Sequence, residues 1–219
     1  HPSAPTSYTD VMTVTGTGRR TFFHQRGANV FFGPEHFAWD RLMGKILYLG
    51  YLLLLDTLDA PDAQHGTVAT GVLAEAGRRE LYRVVDLVSV ERPDYGDVVN
   101  SALPEIDLLI CNELEASRVT GIPTRGENDA LLKPRVQAAA TELMRRGVND
   151  RVVIHFPEGA YACSHSGEAI WQGRVRLPEN LIAGAAGAGD AFAAGLLFGL
   201  PEGMTMTDNR PLGVRAADA

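Results

Sequence analysis

Residues 180–200 read NLIAGAAGAGDAFAAGLLFGL, and every position from 183 to 195 except Asp190 and Phe192 is glycine or alanine. So bare a backbone suits a chain that must approach something closely. From Asp190 onward the glycines thin out. Ala191, Phe192, Ala193, Ala194, Leu196, Leu197 and Phe198 then read as a helix packed on nearly all sides. A glycine-rich loop thus runs into a helix N-terminus, where unpaired N–H groups and the positive end of the macrodipole converge. Such a point suits a phosphate or another developing anion. Asp190 falls in the first turn with no lysine or arginine beside it. A carboxylate so placed suits accepting a proton from a hydroxyl as that hydroxyl attacks a phosphoryl group held by the amides. The other reading is a tight helix cap with an acid in its first turn. A cap needs one polar residue and not a run of glycines.

A chain of 219 residues, 45% apolar and 21% charged, is long enough for one sizeable core and a small appendage. Its net charge of −7 argues against a general nucleic-acid or anionic-membrane surface, which needs a basic footprint. Cys111 and Cys163 lie in apolar, strand-like stretches without the close pairing of a metal or redox motif. They read as buried reduced thiols. The longest apolar run, residues 46–55, is half the length of a bilayer span, and no signal peptide precedes His1. The expected location is the cytoplasm.

Residues 1–9 are rich in Pro, Ser and Thr and suggest an extended or poorly ordered lead-in. Residues 11–15 and 20–25 are β-rich runs around Gly16, Thr17 and Gly18, the pattern of a hairpin. Pro34 marks a helix start leading into EHFAWDRLM, and residues 46–54 read as a buried strand. Helical spacing at 66–79 precedes a buried strand at 84–90. Then come a short helix at 95–103, a strand at 106–111, a helix at 113–120 stopped by Gly121, a helix at 131–146 stopped by Gly147, and a strand at 152–156. Residues 161–175 break this rhythm as a β-hairpin around Ser166 and Gly167. Alternating strands and helices imply parallel βαβ units, hence a three-layer α/β/α sheet with its crevice at the C-terminal ends of the strands.

The strand at 106–111 ends at Asn112, and NELEASRVTG follows at that catalytic edge. Asn112 and Glu115 are three apart, so they share a helix face and suit holding a hydrated magnesium ion. They equally fit a capping box, with Asn112 as cap and Glu115 as its partner. Competing nucleotide motifs are missing. No GxxxxGK[ST] occurs, Phe192 stands where GxGxxG needs its third glycine, and HRD and DFG are absent. His24, His36, His65, His155 and His165 lack the spacing of metal ligands and read as surface or satisfied histidines.

GAGDAFAAGLL resembles the C-terminal signature of the PfkB sugar kinases, also called the ribokinase family. The resemblance implies that Gly187, Ala188 and Gly189 form an anion hole for the transferred phosphoryl group and that Asp190 is the catalytic base. NxxE at Asn112 and Glu115 is similar to the family's magnesium motif, whose glutamate acts through water. Phe156 to Ala160 follows a strand where the family has a glycine-bearing nucleotide loop, which makes Gly159 a nucleotide-binding candidate beside Gly187 and Gly189. A plain strand-to-hairpin turn fits Gly159 as well. RTFFHQRGAN is similar to the end of the family's small β lid.

The implied architecture is a mostly parallel, three-layer ribokinase-like sheet, with residues 10–32 as part of the lid and 33–219 as the kinase core. The implied activity moves the γ-phosphoryl group of ATP, with Mg²⁺, to a hydroxyl of a sugar or sugar-like substrate. A nucleoside kinase and a non-catalytic sugar- or nucleotide-binding relative are the alternatives. Gly184 and Ala185 replace the family's usual Asp and Thr, which leaves activation by a monovalent cation open. Expected partners are the small-molecule substrate and not nucleic acid or membrane, with a homodimer through the lid left open. The family's usual first strand and its Gly-Gly segment are not found, and the family's usual C-terminal end is missing too, so a natural chain longer at both ends is expected, its missing start supplying an acceptor-binding carboxylate.

Overall fold

The computed structural model describes residues 4–14, 20–174 and 187–200. The chain opens with a hairpin in which β1 (Tyr8–Thr13) pairs antiparallel with β2 (Arg20–Gln25). The lead-in expected to run to residue 9 therefore ends earlier, because Tyr8 and Thr9 find partners in Gln25 and His24. The turn at 16–18 lies outside the described residues. Single-turn 3₁₀ helices follow at Gly27–Phe31, Pro34–His36 and Trp39–Arg41. The longer helix expected after Pro34 does not form. Instead Phe32, Phe37 and Trp39 collect into an aromatic cluster, with 5.2 Å between successive ring centres.

Next come β3 (Ile46–Leu49), α1 (Asp56–Asp59), the short antiparallel pair β4 (Pro61–Asp62) and β5 (Gly66–Thr67), and α2 (Val68–Arg78). Then follow β6 (Tyr82–Asp86), α3 (Tyr95–Ala102), β7 (Leu108–Asn112), α4 (Glu113–Thr120) and α5 (Lys133–Arg145). The described chain closes with β8 (Arg151–Phe156), β9 (Gly159–Ser164), β10 (Ala169–Gly173) and α6 (Ala188–Gly199).

Six strands form one sheet in the order β10-β9-β8-β7-β6-β3. The four from β3 to β8 run parallel, and β9 and β10 close one side as an antiparallel hairpin. Strand alternation sorts the side chains into two cores. Val85, Leu109, Cys111, Val152 and Ile154 face the helices α2 to α5 in the larger core. Val84, Leu108, Ile110 and Val153 face the opposite way and meet Phe192, Ala193 and Leu196 of α6. The result is the expected three-layer α/β/α sheet, mostly parallel.

Two further expectations need correction. The strand expected over 46–54 stops at Leu49, and the chain turns so that Leu52 and Leu53 drop into the core. Its cause is tertiary: the buried Asp59 carboxylate accepts the Leu53 N–H at 2.9 Å, removing it from any ladder. Helix α6 also buries one face only. Phe192, Ala193, Leu196 and Gly199 are covered, whereas Phe198 is 67% exposed because no described element lies outside it.

Candidate active site

Parallel strands deliver their last residues to one edge of the sheet, and that edge gathers the polar side chains. Asp86 ends β6 and Asn112 ends β7, while Tyr51 follows the end of β3. The N-terminus of α6 arrives at the same edge, where the Tyr51 hydroxyl donates to Oδ1 of Asp190.

Helix α6 begins with an unusual cap. Gly187 adopts a left-handed conformation (φ +83°), which only glycine takes without strain, and as a glycine it offers the first turn no side-chain cap. The first hydrogen bond of the helix runs from the Ala191 N–H to the Gly187 carbonyl. The earlier N–H groups of Ala188, Gly189 and Asp190 have no helical acceptor, as at any helix start. A Cβ on Gly187 would meet nothing within 4 Å, and one on Gly189 would only just reach His155 Cε1 at 4.0 Å. Among the described residues, nothing crowds the Gly187 end of these amides. His155 packs its ring on Phe192 with 5.3 Å between centres, and burial lowers its pKa to about 4, so it stays a neutral imidazole. It behaves as the packed histidine that its spacing suggested.

Asn112 and Glu115 form the complete capping box. The Asn112 side-chain oxygen accepts from the N–H groups of Leu114 (2.9 Å) and Glu115 (2.8 Å), and Glu115 Oε2 accepts the Asn112 N–H at 2.8 Å. Glu115 Oε1 takes hydrogen bonds from Asn112 Nδ2 (2.8 Å) and from the Ser89 hydroxyl (2.8 Å). Helix α4 then stops at Gly121, as expected.

Burial raises the carboxyl pKa of Glu115, against the pull of these donors. Asp86 goes further. Its pKa is pushed up to about 8, first by burial and then by the Glu115 and Asp190 carboxylates, although the Tyr48 hydroxyl donates to it at 3.0 Å. The edge is therefore a basin of crowded acids beside a helix N-terminus. Among the described residues, no group of three or more His, Cys, Asp or Glu side chains stands close enough to cage a metal ion. The donor set suits a cation that keeps most of its water.

Gly159 sits inside the sheet and not in an open loop. Phe156 and Gly159 pair directly across the two-residue turn at Pro157 and Glu158. With φ +146°, a Cβ on Gly159 would lie 1.9 Å from the Gln172 carbonyl oxygen. Strand packing alone thus accounts for this glycine. Arg125 pins the turn, bridging Glu158 at 2.6 Å and the buried Glu113 of α4 at 2.7 Å.

Tyr48, Tyr51, Asp86 and Ser89 are site residues that sequence reasoning missed. Asp86 had a signal, since it is the one acid inside the apolar stretch VVDLV, where the strand expected over 84–90 in fact ends. Tyr51 had none, because its partner lies 139 residues away. Gly184 and Ala185, where a monovalent cation was left open, lie outside the described residues.

The overall shape of this α/β sheet recurs in solved structures. An Arabidopsis thaliana ribokinase complexed with ribose and ATP superposes with a TM-score of 0.74 at 22% identity, covering 98% of this chain and 62% of that one. An Anopheles gambiae adenosine kinase, in complex with P1,P4-di(adenosine-5) tetraphosphate, gives 0.72 at 22% identity, covering 99% and 62%. In sequence, a ribokinase of Arabidopsis thaliana is 28% identical over 199 residues, which is 91% of this chain and 47% of that protein. The chain thus spans about half the length of this curated relative. A sequence profile described as pfkB family carbohydrate kinase matches residues 3–219. The chain belongs to the pfkB family of carbohydrate kinases. Among the described residues, no helix is long and apolar enough to cross a membrane.

Proposed function

We propose that the protein is an ATP-dependent small-molecule kinase with Asp190 as its general base. The observation that carries this reading is the uncapped, glycine-started N-terminus of α6, with Asp190 in its first turn and Asp86 and Glu115 beside it. Its open amides suit the γ-phosphoryl group, and the neighbouring carboxylate suits the acceptor. In the transfer, an acceptor hydroxyl attacks the γ-phosphorus and gives its proton to Asp190. A new O–P bond forms as the bond to the β,γ-bridging oxygen breaks, its electron pair leaving on ADP.

Asn112 and Glu115 would hold a hydrated Mg²⁺ through its water shell. When bound, that ion would neutralise charge on the β- and γ-phosphates. The crowded acids support this assignment, since each already raises the proton affinity of Asp86. Ser89 and the cap orient the Glu115 carboxylate for it. Gly187 and Gly189 face the phosphates in this reading. Gly159 would reach the nucleotide through its backbone alone, because its α-carbon is packed against β10.

The division into a lid over 10–32 and a core over 33–219 belongs to the same reading. Both faces of the lid hairpin carry exposed apolar side chains, among them Met12, Phe22 and Phe23. A second copy meeting it through the lid would bury them.

A sugar is the proposed acceptor, and a nucleoside kinase is the alternative within the family. ³¹P NMR of the protein with ATP, Mg²⁺ and each of D-ribose, other free sugars and adenosine separates them. A phosphomonoester resonance with a sugar supports the first, and one with adenosine alone replaces it with the second. ATP binding without any phosphoryl transfer would leave a binding protein and overturn the reading.

A further inference from the structure

Tyr51 occupies a turn that the fold holds on two sides. Leu52 and Leu53 on its C-terminal side are fully buried, and Leu53 adopts a left-handed conformation (φ +84°) that is strained for a branched side chain. Two hydrogen bonds retain it there, the first of them buried. Asp59 accepts the Leu53 N–H at 2.9 Å, and Arg92 donates to the Leu53 carbonyl at 3.4 Å while pairing with Asp59 at 2.9 Å. Asp59 is only 3% exposed, so the carboxylate end of this clamp is shielded from water, and a hydrogen bond so shielded is held more firmly. On the other side β3 anchors the turn in the sheet.

From this clamp the Tyr51 side chain reaches across to α6 and donates its hydroxyl to Oδ1 of Asp190. Burial first, and the Asp190 carboxylate next, push the Tyr51 hydroxyl pKa well above that of an ordinary phenol. The group therefore remains a donor at any working pH. A carboxylate on the exposed first turn of a helix is otherwise free to rotate about its side-chain bonds.

We propose that Tyr51 is the positioning residue of Asp190: its hydroxyl fixes Oδ1 and leaves Oδ2 to receive the acceptor's proton. The Asp59–Arg92 clamp sets where that hydroxyl stands. This inference rests on the reading of Asp190 as the base. Asp190 handles the proton, whereas Tyr51 acts only through Asp190 and has no bond to make or break.

The test combines turnover with a probe that needs none. In the full protein, Tyr51→Phe lowers kcat with the acceptor found by ³¹P NMR by about tenfold, the weight of one hydrogen bond to a charged group. The KM for ATP stays within about twofold, because the hydroxyl is assigned to Asp190 and not to the nucleotide. Separately, 3-fluorotyrosine placed at position 51 gives a ¹⁹F resonance that moves when Asp190 is replaced by Asn. Tyr51→Phe at wild-type kcat, or a ¹⁹F resonance indifferent to Asp190→Asn, overturns the proposal. Failure of the base reading looks different: Asp190→Asn itself keeps turnover while the resonance still moves. If no acceptor is turned over, the ¹⁹F shift alone decides whether the Tyr51–Asp190 contact exists.

Discussion

Asn112 and Glu115 cap one another: the Asn112 side chain accepts the Glu115 N–H at 2.8 Å, and the Glu115 carboxylate accepts the Asn112 N–H at 2.8 Å. A capping role and a cation role are compatible here, because water-mediated holding of Mg²⁺ does not require the carboxylate to leave its donors. Substitution separates the two. Glu115→Gln keeps an acceptor for the Asn112 N–H but removes the charge. Its unfolding free energy should stay within about 0.5 kcal/mol of wild type, while the Mg²⁺ concentration for half-maximal activity rises. Glu115→Ala loses both and costs about 1 kcal/mol in addition. Urea unfolding and Mg²⁺ titration of both variants check this. An unchanged Mg²⁺ requirement in Glu115→Gln leaves the cap as the residue's whole role.

Asp86 makes stability depend on pH in an unusual direction. Its carboxyl titrates at about 8 in the fold against 3.8 for an ordinary aspartate. Between those values the folded state holds one proton more than the unfolded chain, so stability falls as pH rises from about 4 to about 8 and then levels off. Asp86→Asn should remove this loss, gaining about 4 kcal/mol over wild type at pH 8.5 relative to pH 5. Urea unfolding at the two pH values measures it. Parallel curves for the two proteins would show that Asp86 ionises normally.

Much of the fold was legible because its signals are local. The cap at Asn112 and the glycine at 121 bound α4, and alternation along β7 and β8 already separates two buried faces. The turn after β3 was not legible. Residues 46–54 are an unbroken apolar run apart from Gly50, and what ends the strand is Asp59, drawn in by Arg92 from 33 residues further on. The site divides in the same way. Its glycine loop and NxxE spacing are contiguous, whereas Tyr51 and Asp86 join it only through strand order.

Removing one partner of the Asp59–Arg92 pair should be costly. Asp59 is almost fully enclosed, and Arg92→Ala would leave its carboxylate without a cation and the strained Leu53 turn without one of its holds. Destabilisation of about 3 kcal/mol is expected. Thermal unfolding checks it, and a change below about 1 kcal/mol would mean that solvent reaches Asp59.

Gly159→Ala tests whether that position is held by packing. A methyl group would collide with the Gln172 carbonyl in a backbone conformation that alanine avoids. A loss of about 3 kcal/mol is expected, with ATP affinity of the folded fraction unchanged. Lowered ATP affinity at unchanged stability would show that the nucleotide, and not packing, requires a glycine at this position.

The most direct test of the account replaces Asp190 with alanine and follows acceptor-dependent ADP release alongside calorimetric ATP binding. Wild type should release ADP and phosphorylated acceptor in equal amounts. The variant should bind ATP as tightly and turn over about 10²- to 10⁴-fold more slowly, the usual loss when a general base is removed. An Asp190→Ala protein that keeps most of its turnover would contradict the account.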